Sequence, residues 1–386
     1  MKYREMGRTG KKISTLGFGC MRFPVLDGDS SKIDEKQAVE MVEYALDKGV
    51  NYFDTAYPYH SKGFSGRGTS EDFLGRVLKS KRDKVYVATK LPTWLVNTRE
   101  DMDRFLEEQL KALQTEHIDF YLLHTLLDHN YDKIKNLGAF EFLEKAKKEG
   151  KIGHIGFSFH DTYSTFEYII NDYDWEFCQI QYNFMDQDYQ AGTKGLKLIE
   201  QKGMGSVIME PLRGGRIVEI PESIKKPLED LDATRTMADW ALSWLYNDPA
   251  VSTVLSGMST LEHVIENVEI ADRAHENTMS EEELKAIEKV YLNLKDKIKI
   301  PCTTCGYCCP CPFGVDIRAC FTSYNNYFLF DDLPSAQRSA IFQYGFRIPE
   351  EARANQCTEC RQCEEHCPQG IEISAEMKKV SDLFDN

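Results

Sequence analysis

Two groups of residues in this 386-residue chain have the types and spacing to do chemistry. The first is a set of thiols. Ten of the 12 cysteines fall between Cys302 and Cys367, and only Cys20 and Cys178 lie outside. They form two runs, CTTCGYCCPCP starting at Cys302 and CTECRQCEEHCP starting at Cys357. Cysteines gathered in this way in a chain without a secretory leader bind metal more often than they form disulfides. The second is a set of titratable side chains at the ends of short apolar runs: Asp54, Tyr59, Lys90 and His124, in FDTAYPY, VYVATK and FYLLH. A buried lysine beside a tyrosine stabilises the phenolate and lowers its pKa, and an aspartate keeps that lysine charged and placed. The tyrosine can then exchange a proton nearer neutral pH, while a neutral histidine orients a carbonyl. Such a set suits proton transfer to a carbonyl oxygen while a hydride arrives at carbon.

For these side chains to converge, the elements must bring successive strand ends to one place. The strand candidates are 15–19, 50–53, 85–89, 119–123, 154–158, 177–181, 206–209 and 252–255, each short, apolar and bounded by Gly, Asp, Asn or charged residues. Between them lie amphipathic helical patterns, among them 36–48, 100–115, 139–149 and 235–247, with Gly49 and Gly150 at stop positions. Eight strands alternating with helices predict an α/β fold of the (β/α)₈ TIM-barrel type, whose active site lies at the C-terminal ends of the strands. A doubly wound dinucleotide-binding sheet is disfavoured. TLGFGCMRFP lacks the third glycine and opens no helix, and the Gly66-x-Gly68 pair follows no strand. Near 295 the texture changes to Cys-rich, then aromatic, then Cys-rich again. This predicts a barrel over 1–294 and a small second domain over 295–386, with a helical insert in 321–346.

Composition narrows the functions. The balance of 47 Lys plus Arg against 62 Asp plus Glu gives a net charge of −15, which repels nucleic acid and anionic lipid. No run of about 18 apolar residues is present to span a membrane. The polar start MKYREMGRTGKK is no secretory signal, so a cytoplasmic protein is expected.

At this point residues 1–294 resemble the aldo/keto reductase family. The resemblance is carried by GFG at 17–19, FDTAYPY at 53–59, SEDFLG at 70–75, TK at 89–90, LLH at 122–124, IGFS at 155–158, QIQYN at 179–183, PL at 211–212, and GMS at 257–259 followed by Glu266-Asn267. It implies a catalytic tetrad of Asp54, Tyr59, Lys90 and His124, with Tyr59 as general acid. It also implies an NADP or NAD cofactor extended across the barrel mouth, contacted by Ser158, Gln181, Ser259 and Asn267. Two positions depart from the pattern. The basic readers of the 2′-phosphate are replaced by Gly257 and His263, and the aromatic shelf for the nicotinamide by Met209; Arg213 and Arg216 are alternative phosphate contacts. His160 reads equally as a core histidine or a substrate contact. Trp94 and Tyr57 read as packing aromatics near a substrate pocket formed by loops 60–69, 92–98 and 125–137.

The second cysteine run is similar to the C-x₂-C-x₂-C-x₃-C-P run of bacterial ferredoxins, and the first is a variant of it. The resemblance implies two [4Fe–4S] clusters, with the fourth cysteine of each run serving the other cluster. One cluster then takes Cys302, Cys305, Cys308 and Cys367, and the other Cys357, Cys360, Cys363 and Cys311. Cys309 is spare, and Cys320 reads as a small buried apolar residue. A zinc ribbon is the competing reading. Fused to the barrel, this module implies an oxidoreductase that reduces a carbonyl or oxidises an alcohol, with electrons passing through the clusters. An electron-transfer protein such as ferredoxin would be its partner, and a flavin the candidate mediator between one- and two-electron steps. The alternative is an ordinary NAD(P)H-dependent reductase whose clusters are structural or oxygen-sensing.

Overall fold

The computed structural model describes residues 1–62, 66–295, 297–329 and 334–385. Of the substrate loop expected at 60–69, residues 63–65 lie outside the described residues, as do 330–333 of the helical insert. The chain divides into two compact units, one of residues Met1–Leu212 with Ala241–Met279 and one of Arg213–Trp240 with Ser280–Asn386. The boundary expected at 294/295 falls inside the second unit.

The first unit opens with a hairpin, β1 (Tyr3–Glu5) and β2 (Lys12–Ser14), paired antiparallel. The eight strands that follow are β3 (Leu16–Gly19), β4 (Tyr52–Asp54), β5 (Tyr86–Leu91), β6 (Ile118–Leu126), β7 (Ile152–Phe159), β8 (Phe177–Gln181), β9 (Gly205–Met209) and β10 (Thr253–Ser256). They close into one parallel barrel in the order β10-β3-β4-β5-β6-β7-β8-β9. All eight strands expected from sequence are present, with ends displaced by up to three residues. The expected helices appear as Glu35–Asp47, Arg99–Ala112, Ala139–Lys148 and Met237–Asn247. Gly49 and Gly150 take the left-handed conformation at φ 91° and 75°, which releases the chain from each helix into the next strand.

The alternation of side chains along each strand explains where the chemistry falls. Inward positions of the lower barrel carry Tyr52, Ala88, Phe120, Leu122, Phe177, Val207 and Leu255, which pack on one another. Met6 and Ile13 of the hairpin segment join this cluster and plug the floor. Moving up each strand by two residues stays on the inward face. That step leads from Tyr52 to Asp54, from Ala88 to Lys90, from Leu122 to His124 and from Val207 to Met209. Gly156 faces the same interior, where an added Cβ would lie 2.5 Å from the Phe177 ring.

The second unit contains the helices Glu222–Glu229, Glu281–Lys295, Ile317–Leu329, Pro334–Arg347 and Ile373–Phe384. Its core is formed by Ile300, Val315, Phe321, Tyr344, Ile348, Met377 and Val380, with Cys320 fully buried among them. Cys320 thus packs as the small apolar residue that its sequence position suggested. Among the described residues, no helix is long and apolar enough to cross a membrane.

Candidate active site and cysteine centres

At the C-terminal ends of β4 and β5, Lys90 is fully buried and its ammonium makes three contacts. Nζ donates to Asp54 Oδ1 at 2.7 Å, to the Thr55 carbonyl at 2.8 Å and to the Tyr59 hydroxyl oxygen at 3.3 Å. An ammonium has three hydrogens, so its donor capacity is matched. Burial pushes the Lys90 ammonium down and the Asp54 carboxyl up, and their mutual attraction opposes both shifts. The Lys90 charge also stands 4.8 Å from the centre of the Tyr59 ring.

His124 ends the inward row of β6. Its ring meets Tyr59 edge-on at 6.2 Å between centroids and lies 5.0 Å from Trp94. Its carbonyl accepts from Thr93 Oγ1 at 2.7 Å, which ties the strand end to the following loop. Burial holds the imidazole well below its usual pKa, and the charges of Lys90 and His160 push it further the same way. His124 is therefore neutral at physiological pH, and its buried Nδ1 has no hydrogen-bond partner among the described residues. His160 is likewise held down, to about 4, by burial and the Lys90 charge, against a hydrogen bond with Gln190 that favours its protonated form. The structure thus brings Asp54, Tyr59, Lys90 and His124 together and adds Trp94 and His160 beside them. Tyr57 instead packs edge-on against Phe105 and bonds Glu108, the structural role its sequence context favoured.

A network behind Lys90 was not read from the sequence. Glu71 is fully buried, and its Oε1 accepts from Thr89 Oγ1 at 2.6 Å and from Gln109 Nε2 at 2.8 Å. The same Gln109 nitrogen reaches the Lys90 carbonyl at 3.0 Å, while Tyr121 donates to Gln109 Oε1 at 2.7 Å. Burial raises the Glu71 pKa, and the bonds from Thr89 and Gln109 oppose it. The loop carrying Tyr59 is set by another close approach. Gly68 N donates to the Tyr57 carbonyl at 2.8 Å, and a Cβ at Gly68 would lie 1.8 Å from the Tyr59 carbonyl oxygen.

The expected nicotinamide contacts occupy the remaining rim of the barrel. Ser158 Oγ accepts from Thr125 N at 2.8 Å, Gln181 Nε2 donates to Asp186 at 2.8 Å, and Asn267 Nδ2 donates to Ser256 Oγ at 2.7 Å. Gln179 Nε2 contacts Met209 Sδ at 3.5 Å, and the buried Gln179 Oε1 has no hydrogen-bond partner among the described residues. An acceptor left in this state suits a ligand that carries an amide N–H. Glu210, one residue past Met209, pairs with Arg22 at 3.8 Å, and the Arg22 stem lies over Gly257. His263 is exposed on the helix Leu261–Asp272, with Ser259 N 3.4 Å from its Nδ1. No Lys or Arg occurs between Gly257 and Val268, so that segment offers no fixed positive charge to a phosphate.

In the second unit, Cys302, Cys305, Cys308 and Cys367 line one cavity together with Thr303, Gly306, Arg318 and Phe321. Cys367 thus meets the first run from across the chain. Burial raises the Cys302 thiol, and Cys367 adds to that shift. Burial likewise raises Cys357 and Cys363, and Cys311 acts on both of them. Cys309 instead lies beside Cys308, with 4.0 Å between their sulfurs, and bonds Arg318. Among the described residues, no three His, Cys, Asp or Glu side chains close on a single-ion geometry. The four thiols around one cavity suit a larger inorganic core, and the all-sulfur donor set fits an iron–sulfur cluster. Cys360 is the one exposed cysteine of the 12.

Comparison with known proteins matches two segments of the chain. The aldo/keto reductase family model matches residues 15–292, and a 4Fe-4S dicluster domain matches residues 301–372. An uncharacterized oxidoreductase of Bacillus subtilis, YqkF, is 25% identical over 319 residues, covering 75% of this chain and 96% of that protein. The L-galactose dehydrogenase of Arabidopsis thaliana is 26% identical, covering 77% of this chain and 96% of its own length. Among solved structures, the holo form of an aldo-keto reductase from Bacillus halodurans superposes with a TM-score of 0.62 at 27% identity, over 75% of this chain and 96% of that one. The chain belongs to the aldo/keto reductase family and carries, after the barrel segment, a 4Fe-4S dicluster domain.

Proposed function

We propose that the chain interconverts a small carbonyl compound and its alcohol, with Tyr59 as the proton donor and acceptor. The observation that supports this most directly is the buried Lys90 ammonium, which holds Asp54 and the Tyr59 oxygen at once. In the reducing direction the Tyr59 O–H bond breaks and the proton goes to the carbonyl oxygen. Lys90 stabilises the negative charge left on the tyrosine, and solvent returns the proton. Asp54 keeps Lys90 charged in a buried place. His124, neutral at physiological pH, directs a hydrogen bond at the substrate oxygen, and Trp94 and His160 border the substrate. Ser158, Gln181, Met209, Ser259, His263 and Asn267 would hold a nicotinamide dinucleotide, with Gln179 as a further contact. When bound, the nicotinamide supplies a hydride, and the clusters supply or accept single electrons.

The same reading assigns one [4Fe–4S] cluster to Cys302, Cys305, Cys308 and Cys367 and the other to Cys311, Cys357, Cys360 and Cys363. Exposure of Cys360 favours exchange of electrons with an outside carrier over a purely structural role. Two experiments test the proposal. Tyr59→Phe should abolish carbonyl reduction while leaving nicotinamide binding intact, and unchanged turnover would sink the proton-transfer role. Anaerobically purified protein should hold about eight iron and eight sulfide per chain. Its visible absorbance should bleach with reduced ferredoxin or with NAD(P)H; clusters that bleach with neither would leave only the structural or oxygen-sensing role.

A further inference from the structure

The first cysteine quartet lines an enclosed cavity that has an arginine in its wall. This arginine is Arg318. It comes from the first turn of the helix Ile317–Leu329, and its Nη1 would be 3.4 Å from a Cβ built on Gly306, inside the first cysteine run. A second guanidinium, Arg216, is anchored to Thr322 of the same helix, next to Phe321 in the cavity wall. Two permanent cations at one site stand out in a chain of net charge −15. Acidic groups are present too. Asp316 faces Cys309, and Glu364, held by Ser374, acts on Cys367 as well as on Cys363. The second run itself carries Glu359, Arg361 and Glu364 among its cysteines, and Cys360 is open to solvent.

Reduction of an iron–sulfur cluster adds one negative charge. Burial opposes that charge and lowers the reduction potential, whereas nearby cations favour it. The first site, enclosed by Ile317, Phe321, Ile371 and Ile373, therefore carries a larger penalty than the second, where Cys360 is exposed. Guanidinium groups stay charged at any working pH, so their compensation is permanent. We propose that Arg318, backed by Arg216, is the counter-charge that keeps the cluster of Cys302, Cys305, Cys308 and Cys367 reducible despite its enclosure. This rests on the cluster assignment above.

The test is an anaerobic redox titration of the full chain, followed by electron paramagnetic resonance. Arg318→Gln should lower one of the two reduction steps by at least about tenfold in the reduced-to-oxidised ratio at fixed potential, about 59 mV for one electron. The other step should stay in place. Arg318→Lys should restore most of the loss, and Arg216→Gln should lower the same step by a smaller amount. Arg216→Gln leaves the cavity wall intact, so it decides the matter if Arg318→Gln loses iron. Unmoved potentials in fully iron-loaded Arg318→Gln or Arg216→Gln protein would overturn the counter-charge role. Wild-type protein with iron for fewer than two clusters would instead defeat the assignment on which it rests.

Discussion

Lys90 gives each of its three hydrogens to a different acceptor, and the two side chains among them are those that the sequence placed at the end of β4 and in the loop beyond it. On the proposed mechanism, replacing it with methionine removes the charge that would stabilise a Tyr59 phenolate. The expected result is a fall of about a hundredfold or more in kcat/KM at neutral pH, with the alkaline limb of the pH–rate profile displaced upward, because the tyrosine then holds its proton more tightly. A profile that keeps its limb would mean that Tyr59 does not report on Lys90. Asp54, Lys90 and His124 were legible in the sequence for a simple reason. Each is the polar residue two steps beyond an inward apolar one on its strand, so period-two counting reaches it. The Glu71 cluster was not legible in the same way. Its partners Thr89 and Gln109 are 18 and 38 residues away on other elements, and spacing within one segment carries no trace of them. Glu71→Ala would strip two buried polar groups of their acceptor. It should destabilise the barrel by about 2–3 kcal/mol, read as a lower midpoint in urea.

At the scale of elements, loops rather than strands decide how well the tetrad is held. The Gly68 backbone lies against the Tyr59 carbonyl, in space that any Cβ would take. Gly68→Ala should therefore shift the Tyr59 loop and reduce kcat by roughly ten- to a hundredfold, with only a modest fall in Tm. Wild-type kcat in that variant would show that the loop accommodates the methyl without moving the hydroxyl. The glycine pair at 66 and 68 read correctly as a loop, but its packing role depends on a chain reversal that local sequence does not encode. The hairpin at Tyr3–Ser14 shows the converse. YRE and KIS have no strong alternation of apolar residues, and they pair because Met6 and Ile13 find a place in the barrel floor. On the rim, the segment from Gly257 to Val268 has Glu262, Glu266 and an exposed His263 but no Lys or Arg. NADPH should accordingly bind no more tightly than NADH in a fluorescence titration.

Over the whole molecule, the end of the barrel opposite the tetrad is built for stability. Glu176 is held there by His154 at 2.6 Å, Lys147 at 2.5 Å and the Ile155 N–H at 2.9 Å. Burial alone would raise its pKa, but these bonds outweigh burial and bring it from 4.5 to about 2. A carboxylate lowered on folding contributes stability that is complete above its unfolded value and is lost as pH falls through the folded one. Tm should therefore drop as pH is lowered from about 4.5 towards 2, and Glu176→Gln should lower Tm at neutral pH while flattening the acid part of the curve. An acid limb unchanged in the variant would remove Glu176 from the account. The barrel floor also has a consequence for biosynthesis. Arg4 bonds the carbonyls of Tyr246, Asp248 and Val251, and Arg8 N bonds the Gly203 carbonyl. Those partners leave the ribosome some 200 residues after the segment they hold. The first residues made must wait, unpaired and available to chaperones or to wrong partners, until β9 and β10 arrive. The hairpin is thus among the first parts synthesised, yet it can be seated only after most of the barrel has been made.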